Sequence, residues 1–162
     1  MGISDVFSAA DVILEASPTS KAGLLELLAT EAAKRIGLSK QDILSALQAR
    51  EKIGSTALGK GVALPHTELQ GAESPVVLFA RLRRPISFDA GDDEPVDLVF
   101  LVLWPATAGK GLLPVMSEIC RTLRNPQSLR HLRLAETPED VARFMHQATA
   151  STAGQNSTPE EK

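Results

Sequence analysis

A proline followed by a histidine closes the apolar run Val62-Ala63-Leu64-Pro65-His66-Thr67, and that histidine is the chain's first candidate for chemistry. Proline fixes its own φ and pushes the preceding Leu64 to an extended shape. His66 is therefore expected at a strand end, at the rim of a sheet, where open α/β sheets keep their sites. A neutral imidazole nitrogen is a nucleophile and can accept a phosphoryl group. On position alone, an idle surface histidine remains the plainer reading. His131 and His146 both sit in helical patterns with arginines nearby, and both are expected to be solvated helix residues. No histidine stands at metal-ligand spacing from another or from Cys120, so neither a metal site nor a cofactor is expected.

Just upstream lies Gly54-Ser55-Thr56-Ala57-Leu58-Gly59-Lys60-Gly61. Gly54-x-x-x-x-Gly59-Lys60 matches a nucleotide P-loop up to its last position, which must be Ser or Thr to hold magnesium and here is Gly61. A P-loop also follows a strand and opens a helix, whereas here a helix precedes and a strand follows. The nucleotide reading fails on both counts. What remains is a sharply turning connection whose backbone amides are able to cradle anionic oxygens. Cys120 falls on an apolar helix face and reads as a core residue. The acidic cluster Asp89, Asp92, Asp93 and Glu94 lies inside a Gly/Pro turn and reads as a solvated loop.

The elements that must position His66 follow from the pattern. A helix is expected from about Ser20 to Ile36, with Leu24, Leu25, Leu28, Ala32 and Ile36 inward and Gly37 as its stop. Ser39-Lys40-Gln41-Asp42 has a capping-box pattern and opens a second helix to roughly Arg50. Strands are expected over Pro75 to Leu82, over Ile86 to Phe88, and over Val96 to Trp104, the last buried on both faces. Ala106 to Gly111 reads as a loop. Helices follow from about Leu113 to Leu123, from Pro126 to Leu134, and from Pro138 to about Gln147. The fold class is α/β, a single domain with a mixed central β-sheet flanked by helices. Residues 1–148 form that domain and 149–162 are expected to be a disordered tail.

Bulk composition excludes several classes. The 162 residues carry 17 basic and 20 acidic side chains, a net charge of −3 with no basic stripe, so a nucleic-acid partner is not expected. A single cysteine forbids an internal disulfide and fits a reducing cytoplasm. The N-terminus lacks the halves of a signal peptide, and the longest apolar run is too short to span a bilayer, so a membrane-embedded protein is not expected.

With these residues in view, Arg50-Glu51-Lys52-Ile53-Gly54-Ser55-Thr56 through Leu64-Pro65-His66 resembles the signature of the fructose–mannitol class of phosphotransferase-system IIA domains. Pro85-Ile86-Ser87-Phe88-Asp89 and Glu94-Pro95-Val96-Asp97-Leu98-Val99-Phe100 resemble that family's next two blocks. The resemblance covers about residues 7 to 146. Within the family the chain is most like the free-standing, nitrogen-regulatory IIA proteins.

The resemblance implies that His66 takes a phosphoryl group from a histidine phosphocarrier protein. It makes Arg50 the guanidinium beside the phosphate oxygens and Thr56 the hydroxyl that orients the imidazole. It further implies regulated target proteins, such as a sensor kinase or transporter, selected by phosphorylation state. One position departs from the pattern. Where the family places a second histidine, after the Trp104-Pro105-Ala106 strand end, alignment through Lys110 puts Leu112, which donates no hydrogen bond. That departure keeps a non-catalytic interaction module as an alternative, beside a sugar-transport IIA acting with a separate permease.

Overall fold

The computed structural model describes residues 2–157, with side chains described through residue 150. These residues divide into two compact units, Ile13–Gly109 and a second made of residues 2–12 with 110–157.

The first unit is built on six strands and two helices. The strands are β1 (Val12–Ala16), β2 (Ala57–Gly59), β3 (Val62–Ala63), β4 (His66–Leu69), β5 (Val76–Ile86) and β6 (Val96–Pro105). The sheet runs β1-β5-β6-β3-β2, and β4 also pairs with β6. β5 and β6 are antiparallel, while β3 and β4 run parallel to β6 along its other edge, so the sheet is mixed as expected. The β6 segment Leu98-Val99-Phe100-Leu101-Val102-Leu103 is wholly buried, which explains its unbroken apolar run.

β5 was expected as two strands and is one. Pairing with β6 lapses after Arg81 and resumes at Ile86 with a shifted register, and the chain stays extended across that irregular stretch, which contains Pro85.

Helices α1 (Lys21–Ile36) and α2 (Lys40–Ile53) carry the caps the sequence called for. Ser20 accepts from the Gly23 amide, Ser39 from the Asp42 amide, and Gly37 takes the left-handed conformation at φ 76°. Their inward residues, among them Leu24, Leu28, Ile43 and Leu47, form one cluster with Val99, Leu101 and Leu103 of β6 and Leu78 and Ala80 of β5. α2 continues past the expected end at Arg50 because only Gly54 breaks the pattern.

The second unit holds α3 (Leu112–Leu123), α4 (Pro126–Leu134) and α5 (Pro138–Ser157), with two 3-10 turns at Ile3–Asp5 and Ala9–Asp11. The expected loop Ala106–Gly111 is itself a 3-10 turn, kinked at Ala108. Glu118 on α3 accepts from the Ile3 amide at 2.9 Å, which ties the N-terminal turn down. α5 runs beyond the expected end at Gln147, so a helix occupies 149–157 where a disordered tail was expected. The Thr149 hydroxyl is buried and donates to the Met145 carbonyl at 2.8 Å, and no proline interrupts the chain before Pro159. Residues 158–162 of that expected tail lie outside the described residues.

Candidate functional site

His66 opens β4. β3 ends at Ala63, Leu64 and Pro65 interrupt pairing, and His66 re-enters the sheet opposite Val102, near the middle of β6 rather than at its end. His66 is thus the terminal residue of its strand, after a break between two short strands that share one edge of β6. Pro65 makes the break, because it offers no amide; its carbonyl accepts from the Val102 amide at 3.0 Å and resumes the ladder.

The Leu64 carbonyl is turned to the imidazole, on the side away from β6. His66 Nδ1 lies 2.8 Å from Leu64 O, and since a carbonyl only accepts, Nδ1 carries the proton and donates it. In the neutral ring Nε2 then holds the free lone pair. His66 as a whole is half-buried. An oriented imidazole, whose neutral form has Nε2 as its nucleophilic atom, is the chemistry this arrangement offers.

The glycine-rich segment upstream is a hairpin, not a phosphate loop. Gly59, Lys60 and Gly61 have φ of 91°, 57° and 83°, the left-handed conformations that a tight β2–β3 turn demands. The Lys60 amide donates to Asp92 Oδ2 at 3.0 Å, so it serves an internal carboxylate instead of an external anion. That bond, with a second from the Glu94 amide, holds the Asp92 carboxyl below the usual aspartate range. The acidic turn is therefore a fastening for the hairpin, which its composition did not reveal.

Arg50 and Thr56 do not reach the imidazole by any hydrogen bond among the described residues. Arg50 is half-buried, and its Nη1 donates to the Gly54 carbonyl at 3.0 Å, closing the C-terminal end of α2. Thr56 is buried, and both its amide (3.2 Å) and its hydroxyl donate to the Glu51 carboxylate. The expectation that Thr56 orients the ring is corrected: its hydroxyl is already engaged, and the Leu64 carbonyl performs the orienting. Thr56 acts one step back, since its own carbonyl accepts from the Leu64 amide at 3.0 Å.

Sequence reasoning gave no role to Glu51 or Lys21, which lie in this network. Glu51, whose side chain is 6% exposed, is paired with Lys21 Nζ at 2.9 Å. Lys21 also sits 4.5 Å from the Phe88 ring centroid, and the Phe88 carbonyl accepts from the Ser55 hydroxyl at 2.7 Å. A charged residue directly after Arg50 gave the only signal, and it reads equally well as an exposed helix residue.

The remaining candidates fall elsewhere. Leu112 is the half-buried first residue of α3 in the second unit and has no donor to offer. His131 stacks on Phe144 with centroids 4.2 Å apart, and His146 donates from Nε2 to the Phe7 carbonyl at 2.7 Å. His146 is half-buried, so it fastens the N-terminal turn, in place of the solvated role expected of it. Cys120 is half-buried, and burial pushes its thiol up from the ordinary range. Among the described residues no group of three or more His, Cys, Asp or Glu is placed to hold a metal ion, and no helix is long and apolar enough to cross a membrane.

The family model described as the phosphoenolpyruvate-dependent sugar phosphotransferase system, EIIA 2, matches residues 5–148. A nitrogen regulatory protein of Escherichia coli (strain K12) is 38% identical over 143 residues, covering 88% of this chain and 83% of that protein. One from Bradyrhizobium diazoefficiens is 38% identical over 141 residues, with 87% and 92% covered. The crystal structure of nitrogen regulatory protein IIA-Ntr from Neisseria meningitidis superposes with a TM-score of 0.85 at 32% identity, covering 88% of this chain and 98% of that one. IIA mannitol from Escherichia coli shares the fold, with a TM-score of 0.71 at 17% identity over 86% of this chain and 98% of that one.

Proposed function

Because the chain belongs to the phosphoenolpyruvate-dependent sugar phosphotransferase system EIIA 2 family, we propose that it is a cytoplasmic phosphocarrier of the nitrogen-regulatory branch. His66 Nε2 accepts a phosphoryl group from the phosphohistidine of a small carrier protein. Partner proteins, such as a sensor kinase or a transporter, are then bound according to phosphorylation state.

The observation that carries this reading is the 2.8 Å contact from His66 Nδ1 to Leu64 O. It supports one tautomer and leaves the lone pair of the neutral ring on Nε2. In the transfer, a P–N bond forms at Nε2 while the donor's P–N bond breaks, and the donor imidazole keeps that electron pair. The proton on Nδ1 stays where it is. The ring becomes a phosphoimidazolium whose remaining N–H is held by the Leu64 carbonyl, so no proton has to be moved for transfer in either direction. Phosphoryl transfer depends chiefly on positioning and charge stabilisation, and a fixed imidazole meets the first need. Arg50, at the end of α2, is the guanidinium available for the second once it releases Gly54.

The readout follows from charge. A phosphoryl group adds about −1.5 to −2 charges at pH 7, enough to reset which small surface the protein binds. The alternative of a non-catalytic interaction module draws on the resemblance, which aligns Leu112 with the family's second histidine, and a leucine donates no hydrogen bond.

Incubation with phosphoenolpyruvate, enzyme I and the histidine phosphocarrier tests the reading. One acid-labile phosphate should be gained per chain by intact-mass spectrometry, and none by His66→Ala. Full labelling of the His66→Ala variant would move the site elsewhere, and an unlabelled wild-type protein would leave the interaction module as the function.

A further inference from the structure

We infer that Glu51 is a positioning residue for the phosphoryl acceptor, acting through Thr56 and Leu64 on the tautomer of His66. The inference rests on His66 being the acceptor and adds a group that touches neither the imidazole nor the phosphate.

The contacts form an unbroken series. Lys21 Nζ pairs with Glu51 Oε1 at 2.9 Å. Glu51 accepts both the amide and the hydroxyl of Thr56. The Thr56 carbonyl accepts the Leu64 amide at 3.0 Å, and the Leu64 carbonyl accepts His66 Nδ1 at 2.8 Å. Every member before the imidazole is largely buried: Thr56 is 5% exposed, Leu64 1%, and the Glu51 side chain 6%. A buried carboxylate with three donors converging on it has one low-energy placement, and it fixes Thr56 in both backbone and side chain.

The series conveys geometry, not charge. The amide and carbonyl used at Thr56 belong to different peptide planes, as do those used at Leu64, so no polarised chain and no proton path runs through them. What passes is position. The β6 ladder holds the neighbouring Pro65 through its carbonyl, whereas the Leu64 amide and carbonyl turn to Thr56 and to His66. Thr56 is the hydrogen-bonded anchor of the Leu64 amide, and Glu51 is the anchor of Thr56. With that carboxylate neutralised or the Thr56 hydroxyl removed, the Leu64 carbonyl drifts. Nδ1 then loses its fixed acceptor, and the proton partitions between the two ring nitrogens. Every ring protonated on Nε2 is unable to accept phosphate there.

Two variants separate this role from general support. Glu51→Gln keeps the shape of the side chain without its charge, and Thr56→Val removes only the hydroxyl, so it carries the test if Glu51→Gln unfolds. Thr56→Ser restores the hydroxyl. In unphosphorylated protein at pH 8.5, long-range proton–nitrogen spectra should show Nδ1–H as the dominant His66 tautomer for wild type and Thr56→Ser. Glu51→Gln and Thr56→Val should show a substantial Nε2–H population. Transfer from the phosphocarrier should fall by about 10–100-fold in kcat for those two, with KM within about twofold, and recover in Thr56→Ser. Folded variants that keep the Nδ1–H tautomer and the wild-type kcat overturn the inference. A wild-type protein that takes no phosphate refutes the proposed function, while the tautomer spectra still decide the role of Glu51.

Discussion

Replacing Lys21 by methionine isolates the ion pair beneath the site. The Lys21→Met side chain keeps an apolar stem beside the Phe88 ring, so the perturbation is the loss of the ammonium. At 2.9 Å and an effective dielectric of about 20, the attraction to Glu51 is about 6 kcal/mol before desolvation is counted. Removing one partner of a buried pair costs about 3–5 kcal/mol, because the other charge stays behind. Lys21 is 20% exposed, and Glu51 retains its two bonds from Thr56, which places the loss near the lower end, at about 3 kcal/mol. The second pairing of Lys21, with Asp89 at 3.4 Å, adds little because Asp89 is 77% exposed. For a chain of this size about 3 kcal/mol lowers the melting temperature by about 6–12 °C. Thermal unfolding followed by circular dichroism at pH 7 reads the shift directly. The double variant Lys21→Met with Glu51→Gln should regain a good part of the loss, since no uncompensated charge is left in the interior. A Lys21→Met melting temperature within about 2 °C of wild type, or strictly additive losses in the double variant, would refute the reasoning.

Arg50→Ala removes the donor on the Gly54 carbonyl and should cost about 1 kcal/mol of stability. The same variant should slow phosphoryl transfer by about 10²-fold in a quench-flow assay, the usual loss on removing one stabilising donor. Asp92 has its carboxyl held below the usual range by the Lys60 and Glu94 amides, so its contribution to stability is present above the ordinary aspartate value of about 3.9 and fades as the pH falls through the lower folded value. Asp92→Ala should therefore melt below wild type at pH 7, with the gap closing as the pH is taken below the carboxylate range; a gap independent of pH would contradict this. His146→Phe keeps a ring beside Phe7 but removes the Nε2 donation to its carbonyl, and urea unfolding should show a loss of about 1 kcal/mol.

Much of the fold was legible because local signals agreed with the packing. Ser20, Ser39 and Gly37 mark helix ends by side-chain and backbone chemistry that needs no tertiary context. The apolar run of β6 announced a strand with no solvent face. Pro85 misled, since the strand stays extended through the irregular stretch that contains it. The short strands β2 and β4 escaped for the opposite reason: each is made by pairing, with β3 and β6 respectively, and not by its own pattern.

At the site, Pro65-His66 was readable as an unusual juncture, but not the atom that holds the ring. A backbone carbonyl turned to a ring two residues on leaves no trace in composition. Glu51 was invisible on the same grounds, because its burial depends on where α1 places Lys21. The resemblance supplied Thr56 with the right neighbourhood and the wrong partner.

The measurement closest to the centre of the account is the nitrogen-15 and phosphorus-31 NMR spectrum of the phosphorylated protein, labelled at its histidines. The account predicts a phosphorus coupling to His66 Nε2, with Nδ1 still bearing its proton and still hydrogen-bonded to the Leu64 carbonyl. Phosphorus coupled to Nδ1, or to a nitrogen of His131 or His146, would contradict it.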